Sequence, residues 1–352
     1  MTKQQLAHLA CTAVVVASGM GAALPADHPS VHLVRAGESI QKAVDSARAG
    51  DTVVVAPGTY HESVTITVAD LTLRGASARA TVIVPGTATT DACAKAGNGI
   101  CVTGTDSKRV RGVTVASLTL RGFSKQGLWA SGTDGLTVRG VTAEKNGQWG
   151  LAEERSVRTK FVGDTAKDNG DAGVFLSNTV ATEEGARDTL GTVVAHNQLS
   201  GNRIGITVRR LRNLTVARNE ATGNCTAVFI VGDENKPRVG DLSVRRNYIH
   251  ANNKSCPKTA RLPALQGSGI VLTGAEDVRV THNRVEDNVG TSPLSGGIVL
   301  FKSFVGALSE RNVVRDNVVL RNGPSDLANR DTGKGNTFPG NTCKVSEPAG
   351  MC

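Results

Sequence analysis

A nine-residue pattern, V-x-x-N-x-Φ-x-x-N, recurs five times in the second half of the chain and restricts what it can fold into. Val194, Asn197, Leu199, Asn202, Gly205 and Ile206 are followed 22 residues later by Val216, Asn219, Ala221, Asn224, Ala227 and Val228. The pattern returns as Val244/Asn247/Ile249/Asn252, Val280/Asn283/Val285/Asn288 and Val314/Asn317/Val319/Asn322, with the two asparagines always five positions apart. Only the spacers change length. A fixed core with variable spacers marks a solenoid, in which each coil must stack on the next while its loops are free to grow. A 22-residue period rich in β-branched alternation, as in Leu214-Thr215-Val216, is too short for a helical hairpin but holds three short strands and their turns.

An asparagine at the same turn of every coil lies above its equivalent at the inter-strand spacing of roughly 4.8 Å, where side-chain amides bond up the stack. Asn197, Asn219, Asn247, Asn283 and Asn317 are therefore expected to form one inward ladder. The repeat resembles the right-handed parallel β-helix proteins of the pectin-lyase-like superfamily, over most of the chain. That resemblance implies an all-β, right-handed parallel β-helix solenoid with coils of about 22 residues. Between residues 113 and 180 the signature weakens. Val141 and Asp164 stand where the first asparagine belongs, so the ladder should be broken or altered there.

Residues 1–26 carry Lys3, an apolar run and small residues ending in Ala22-Ala23-Leu24-Pro25-Ala26, the composition of a secretory signal peptide without a lipid anchor. Residues 27–352 then read as a single β-helix domain. Ile40, Ala43, Val44 and Ala47 have helical spacing before Gly50, and a strand and a Pro57-Gly58 turn follow. This run within residues 27–75 is similar to the N-terminal portion of exported β-helix proteins, with the helix plugging the open end of the solenoid. His61 and Glu62 belong to that segment and read as turn residues. Residues 323–352 lose the repeat and suit a C-terminal cap.

Export leaves six cysteines, Cys93, Cys101, Cys225, Cys256, Cys343 and Cys352, in an oxidising exterior where disulfides form. Fifteen pairings remain open in principle. The adjacent ones each close a loop or tail, and Cys225 with Cys256 would clamp the start of one coil to an insertion in the next. No C-x-x-C occurs, and no Cys, His or Met cluster supports the copper chemistry served by NosD-type β-helices. His196 and His282 share a column, but Arg218 and Arg246 intervene, leaving the imidazoles roughly 14 Å apart. His250 above Glu286 reads as a cross-strand pair.

The net charge of +9 fits a polyanionic partner. Aromatics are too scarce for base stacking and nothing resembles a nucleic-acid fold, so an acidic extracellular polysaccharide is preferred, bound by a monomer. In the strand after each small residue, the outward row reads Trp129, Ala152, Phe175, Thr207, Phe229, Val271 and Val299. Trp129, Phe175 and Phe229 form either a sugar-stacking platform or a surface covered by loops. Ionic residues gather beside them: Glu153, Glu154, Asp171, Arg203, Arg209 and Arg210.

Uronic-acid lyases of this fold need a base beside the substrate carboxylate and a cation, or calcium, to neutralise it. The resemblance thus makes Glu153, Glu154 and Asp171 the acid or base candidates, and Arg203, Arg209 and Arg210 the anion-binding ones. No cofactor is firmly implied, and calcium enters only with a lyase. The N-T-D, D-D and G-H-G motifs of polygalacturonases are replaced by Asn169-Gly170-Asp171, Asn202-Arg203-Ile204 and Gly267-Ser268-Gly269, which argues against that hydrolase. A non-catalytic surface or adhesion module is the alternative. Insertions at 253–268 and 289–296 leave neighbouring coils at equivalent points and should lie side by side.

Overall fold

The structure is a computed structural model that describes residues 28–87 and 91–352, so the expected signal peptide lies outside the described residues. Each coil contributes one strand to each of three sheets. In the coil after Asn202 these are Ile204–Arg209 in the third sheet, Leu211–Ala217 in the first and Glu220–Thr222 in the second. The first and third sheets have eleven strands and the second has ten. Every pairing within them is parallel. In the first sheet the repeat's valines pair as Val194, Val216, Val244, Val280 and Val314, each on the next.

The period-two alternation sends one face of every strand into a narrow lumen of Val, Leu, Ile and Ala. Size is balanced within coils, since Phe161 on the first sheet belongs to the coil that presents only Ala166 on the second. Two asparagine stacks line the lumen's corners. At the corner between the first and second sheets, Asn197 Nδ2 donates to Asn219 Oδ1, and the series continues through Asn247, Asn283 and Asn317 to Asn341. At the corner between the second and third sheets the stack runs from Asn146 through Asn169, Asn202, Asn224, Asn252 and Asn288 to Asn322. Each side chain also accepts a backbone N–H from the coil before it, which satisfies the turn's buried polar groups. The small residue after the second asparagine has a steric origin. A Cβ on Gly150 would sit 2.7 Å from the Gly173 carbonyl oxygen and 2.8 Å from Asn169 Nδ2.

The helix Ile40–Ser46 closes the first coils with Ile40 and Val44 buried. Glu62 caps it, accepting from Ile40 N and Gln41 N and from Ser39 Oγ, which gives that residue a structural task. At the other end the coil pattern runs further than the sequence suggests: Asn341 extends the first ladder, Asn336 accepts from Asn312 at the corner between the third and first sheets, and Leu327–Arg330 adds a strand. Cys93 is bonded to Cys101, Cys225 to Cys256 and Cys343 to Cys352. Such bonds belong to an oxidising compartment. No helix among the described residues is long and apolar enough to cross a membrane.

Candidate functional site

Among the described residues, the outer face of the third sheet is the one sheet face flanked by long loops on both edges. Insertions within 177–187, 232–239 and 302–309 leave at the corner toward the first sheet, whereas 253–267 and 287–295 leave at the corner with the second. Register places Trp129, Ala152, Phe175, Thr207, Phe229, Val271 and Val299 in one outward column. Outward is not exposed, however. Leu262, Leu265 and Leu294 from the two insertions pack over the column with Trp149, forming a second apolar core. Phe229 has no accessible surface and Phe175 only 7%. The proposal that these two rings meet a ligand is therefore corrected: loops cover them. Trp129, at the N-terminal end beyond the reach of the insertions, keeps part of its surface open.

Trp149 is the aromatic that the strand pattern misses, because it lies in the turn ahead of the strand Leu151–Glu154. Its ring stacks on Phe175 with centroids 3.9 Å apart and approaches Trp129 at 6.0 Å. Asp171 accepts the indole Nε1–H at 3.0 Å. An aromatic in a turn of an aromatic-poor chain was the available signal.

The ionic cluster divides into structural and accessible members. Glu153 faces the lumen, in the column of Ala130 and Leu176, and is 1% exposed. Burial pushes its carboxyl up to about 7, and neither oxygen has a hydrogen-bond partner. It cannot touch a ligand on the outer face, which removes it as a catalytic candidate. Arg210 is 2% exposed and holds two loops together, binding Glu183 and Asp233. Arg203 holds the opposite wall, donating to the Pro257 carbonyl at 2.7 Å and the Pro263 carbonyl at 3.3 Å. Both arginines build the groove rather than line it.

Glu154 and Arg209 remain at its surface. They share the outward column Ser131, Glu154, Ser177, Arg209, Val231, so two coil steps, roughly 10 Å, separate their backbones. Glu154 keeps 21% of its side chain exposed, and Arg209 keeps 20%. Burial raises the Glu154 carboxyl above its usual range, and the Glu184 and Asp106 carboxylates add to the rise against the Val180 N–H and Arg155. Burial, followed by the charge of Arg210, lowers the Arg209 guanidinium. Its nearest acid is Glu183, at 3.8 Å.

No group of three or more His, Cys, Asp or Glu side chains among the described residues could hold a metal ion. Asp171 is engaged by Trp149, and Arg155 lies 3.8 Å from Glu154. The groove's acids therefore do not form the all-oxygen cage that calcium requires.

A family profile described as "Right handed beta helix region" matches residues 90–241. The chain is a right-handed parallel β-helix protein. The A-module of the mannuronan C-5 epimerase AlgE4 of Azotobacter vinelandii superposes on this β-helix with a TM-score of 0.57 at 16% identity, covering 88% of this chain and 90% of that one. DFA-IIIase from Arthrobacter chlorophenolicus A6 in complex with GF2 gives 0.58 at 14% identity, covering 90% and 86%. The Dettilon tailspike protein gives 0.56 at 10% identity, covering 88% and 63%. At these identities the likeness is one of fold. No curated protein sequence matches the β-helix.

Proposed function

We propose that this β-helix binds an extracellular acidic polysaccharide along the outer groove of the third sheet. The observation that carries the reading is the placement of Arg209, between the loop walls, and the open part of Trp129, just beyond them, on the outer face of one sheet. A guanidinium recognises a uronate carboxylate with paired N–H donors, and an indole stacks on the apolar face of a sugar ring. The net charge of +9 attracts the same class of ligand, and the likeness to an epimerase module named for mannuronan is consistent with it.

Cleavage in this groove is of the lyase type. Arg209 neutralises the uronate carboxylate, which acidifies the proton on the adjacent carbon; Glu154 takes that proton, the C=C bond forms as the glycosidic C–O bond breaks, and the same carboxyl returns the proton to the leaving oxygen. Burial raises the Glu154 carboxyl above the usual range, which makes it a stronger proton acceptor than a solvated glutamate.

The exposed apolar tip Phe304, Val305 and Leu308 on the 302–309 wall favours a second reading, a non-catalytic module that meets a protein partner. Incubating the protein with uronic-acid polymers and with neutral glucans, while following the ultraviolet absorbance of unsaturated product and binding by calorimetry, separates the readings. Turnover or selective binding of the uronates supports the polysaccharide reading. Absence of both leaves the partner-binding module.

A further inference from the structure

Across the coil from that groove, the corner between the first and second sheets carries a row of two arginines and two histidines that the groove does not use. Successive coils place His196, Arg218, Arg246 and His282 at one turn position, all exposed. The backbone fixes their alignment: His196 N donates to Ala217 O, Arg218 N to Arg245 O and Arg246 N to Thr281 O, each at 3.2 Å. The four side chains therefore leave the cylinder in a straight line at roughly 4.8 Å intervals. Arg245 and Arg279 stand beside the row on the first sheet. Among the described residues, Arg218, Arg245 and Arg246 form no ion pair, in a protein whose other arginines mostly have carboxylate partners. The row is bounded by Gly140 and Gly163 before it and by Asp316 after it.

Backbone geometry does not explain these side chains. All four residues are left-handed, with φ between 55° and 59°, where glycine or asparagine costs least. The corner between the second and third sheets makes the same demand and meets it with Lys145, Asp168, Gly201, Gly223, Ala251, Asp287 and Arg321. That sister corner has the same hydrogen bonds and mixed charge, and Arg321 there is paired with Asp287. The same turn thus tolerates small, acidic and basic residues, and of these two corners the first lines up arginines and histidines that have no carboxylate partner among the described residues.

We propose that the corner row His196, Arg218, Arg246 and His282 is a docking ridge for a single linear polyanionic glycan chain, separate from the groove. The match is one of shape and charge. An extended polyuronate is a single chain with one carboxylate per sugar, whereas duplex DNA wraps its phosphates helically and packs one charge per ~1.7 Å of axis. The disulfides favour a glycan by compartment. The ridge would anchor the protein on a polymer and leave the groove free, and it does not depend on what the groove binds.

The test is calorimetric titration of the whole protein with polygalacturonate over a series of salt concentrations. The double variant Arg218→Gly with Arg246→Gly removes two ridge charges at positions where glycine is the preferred residue. A control double variant, Lys145→Gly with Arg321→Gly, removes the same charge from the sister corner. The ridge variant should bind about tenfold more weakly at low salt, and its slope of log K against log salt should flatten by roughly 1.4, with the control near the parent. Thermal melts of both variants confirm folding. Arg209→Ala, made in parallel, reports on the groove alone. Equal losses in the two double variants, or no loss in either, would overturn the ridge. Tighter binding of duplex DNA than of polygalacturonate at the same salt would overturn its assignment to a glycan.

Discussion

Asp164 Oδ1 accepts the Val141 N–H at 2.8 Å, in the ladder position that an asparagine fills in every later coil. In those coils the second side-chain atom is an NH2 that donates to the preceding coil, as Asn197 Nδ2 does to Phe161 O at 3.0 Å. Asp164 puts Oδ2 there, buried and without a partner. Only a protonated carboxyl supplies the missing donor. Burial accordingly pushes Asp164 from 3.8 up to about 7.

The sign of the pH effect follows. A carboxyl whose folded pKa lies above its unfolded value contributes most below the unfolded pKa, and that contribution is lost as pH rises through the folded one. Stability should therefore fall between about pH 4 and pH 7 on account of Asp164, with Glu153 adding to the fall in the same window. Asp164→Asn should raise the melting temperature at pH 8 far more than at pH 4. Thermal melts across that range check it, and an equal shift at both ends would show that Asp164 is ionised in the fold.

Asn247 accepts from Asn219 Nδ2 and from Asn219 N, and donates to Val216 O and Asn283 Oδ1. Asn247→Leu leaves those buried partners unsatisfied and should cost on the order of 1–3 kcal/mol in urea unfolding. Substitution of the exposed Gln198 should cost much less.

Arg210 joins the loops 177–187 and 232–239 through Glu183 and Asp233, and its Nη1 bonds Thr179 Oγ1 at 3.2 Å. Glu183 is largely exposed, so solvent screens that half of the pairing. Arg210→Met should destabilise the fold by about 1–3 kcal/mol and open both loops to limited proteolysis, with cleavage mapped by mass spectrometry.

Reduction of Cys225–Cys256 releases the insertion that carries Leu262 and Leu265 over Phe229. Loss of that bond should cost about 2–4 kcal/mol and expose apolar surface. Binding of a hydrophobic dye should rise on reduction and stay unchanged in a Cys343→Ser/Cys352→Ser variant, whose bridge lies in the tail.

The solenoid, the ladder from Asn197 to Asn317 and the outward column were legible because each rests on periodicity, which a sequence displays directly; the second ladder, through Asn202 and Asn224, was carried by the same repeat but not read from it. Burial of Phe175 and Phe229 was not, since it depends on where irregular insertions fold back and no period encodes that. The direction of Glu153 was legible and overlooked: with Ala152 and Phe175 on the outward row, alternation already turns Glu153 inward beside Leu176. Arg203 and Arg210 looked like ligand contacts because their partners, the Pro257 and Pro263 carbonyls and the acids Glu183 and Asp233, sit in loops distant in sequence.

The groove itself is tested most directly by titrating polygalacturonate into the parent, Arg209→Ala and Trp129→Ala proteins at low and high salt. Arg209→Ala should weaken binding by about tenfold at low salt and by much less at high salt, because a screened charge contributes little. Trp129→Ala should weaken binding at both, because ring stacking is not screened. Parent-like binding by both variants would contradict a polysaccharide site on the third sheet.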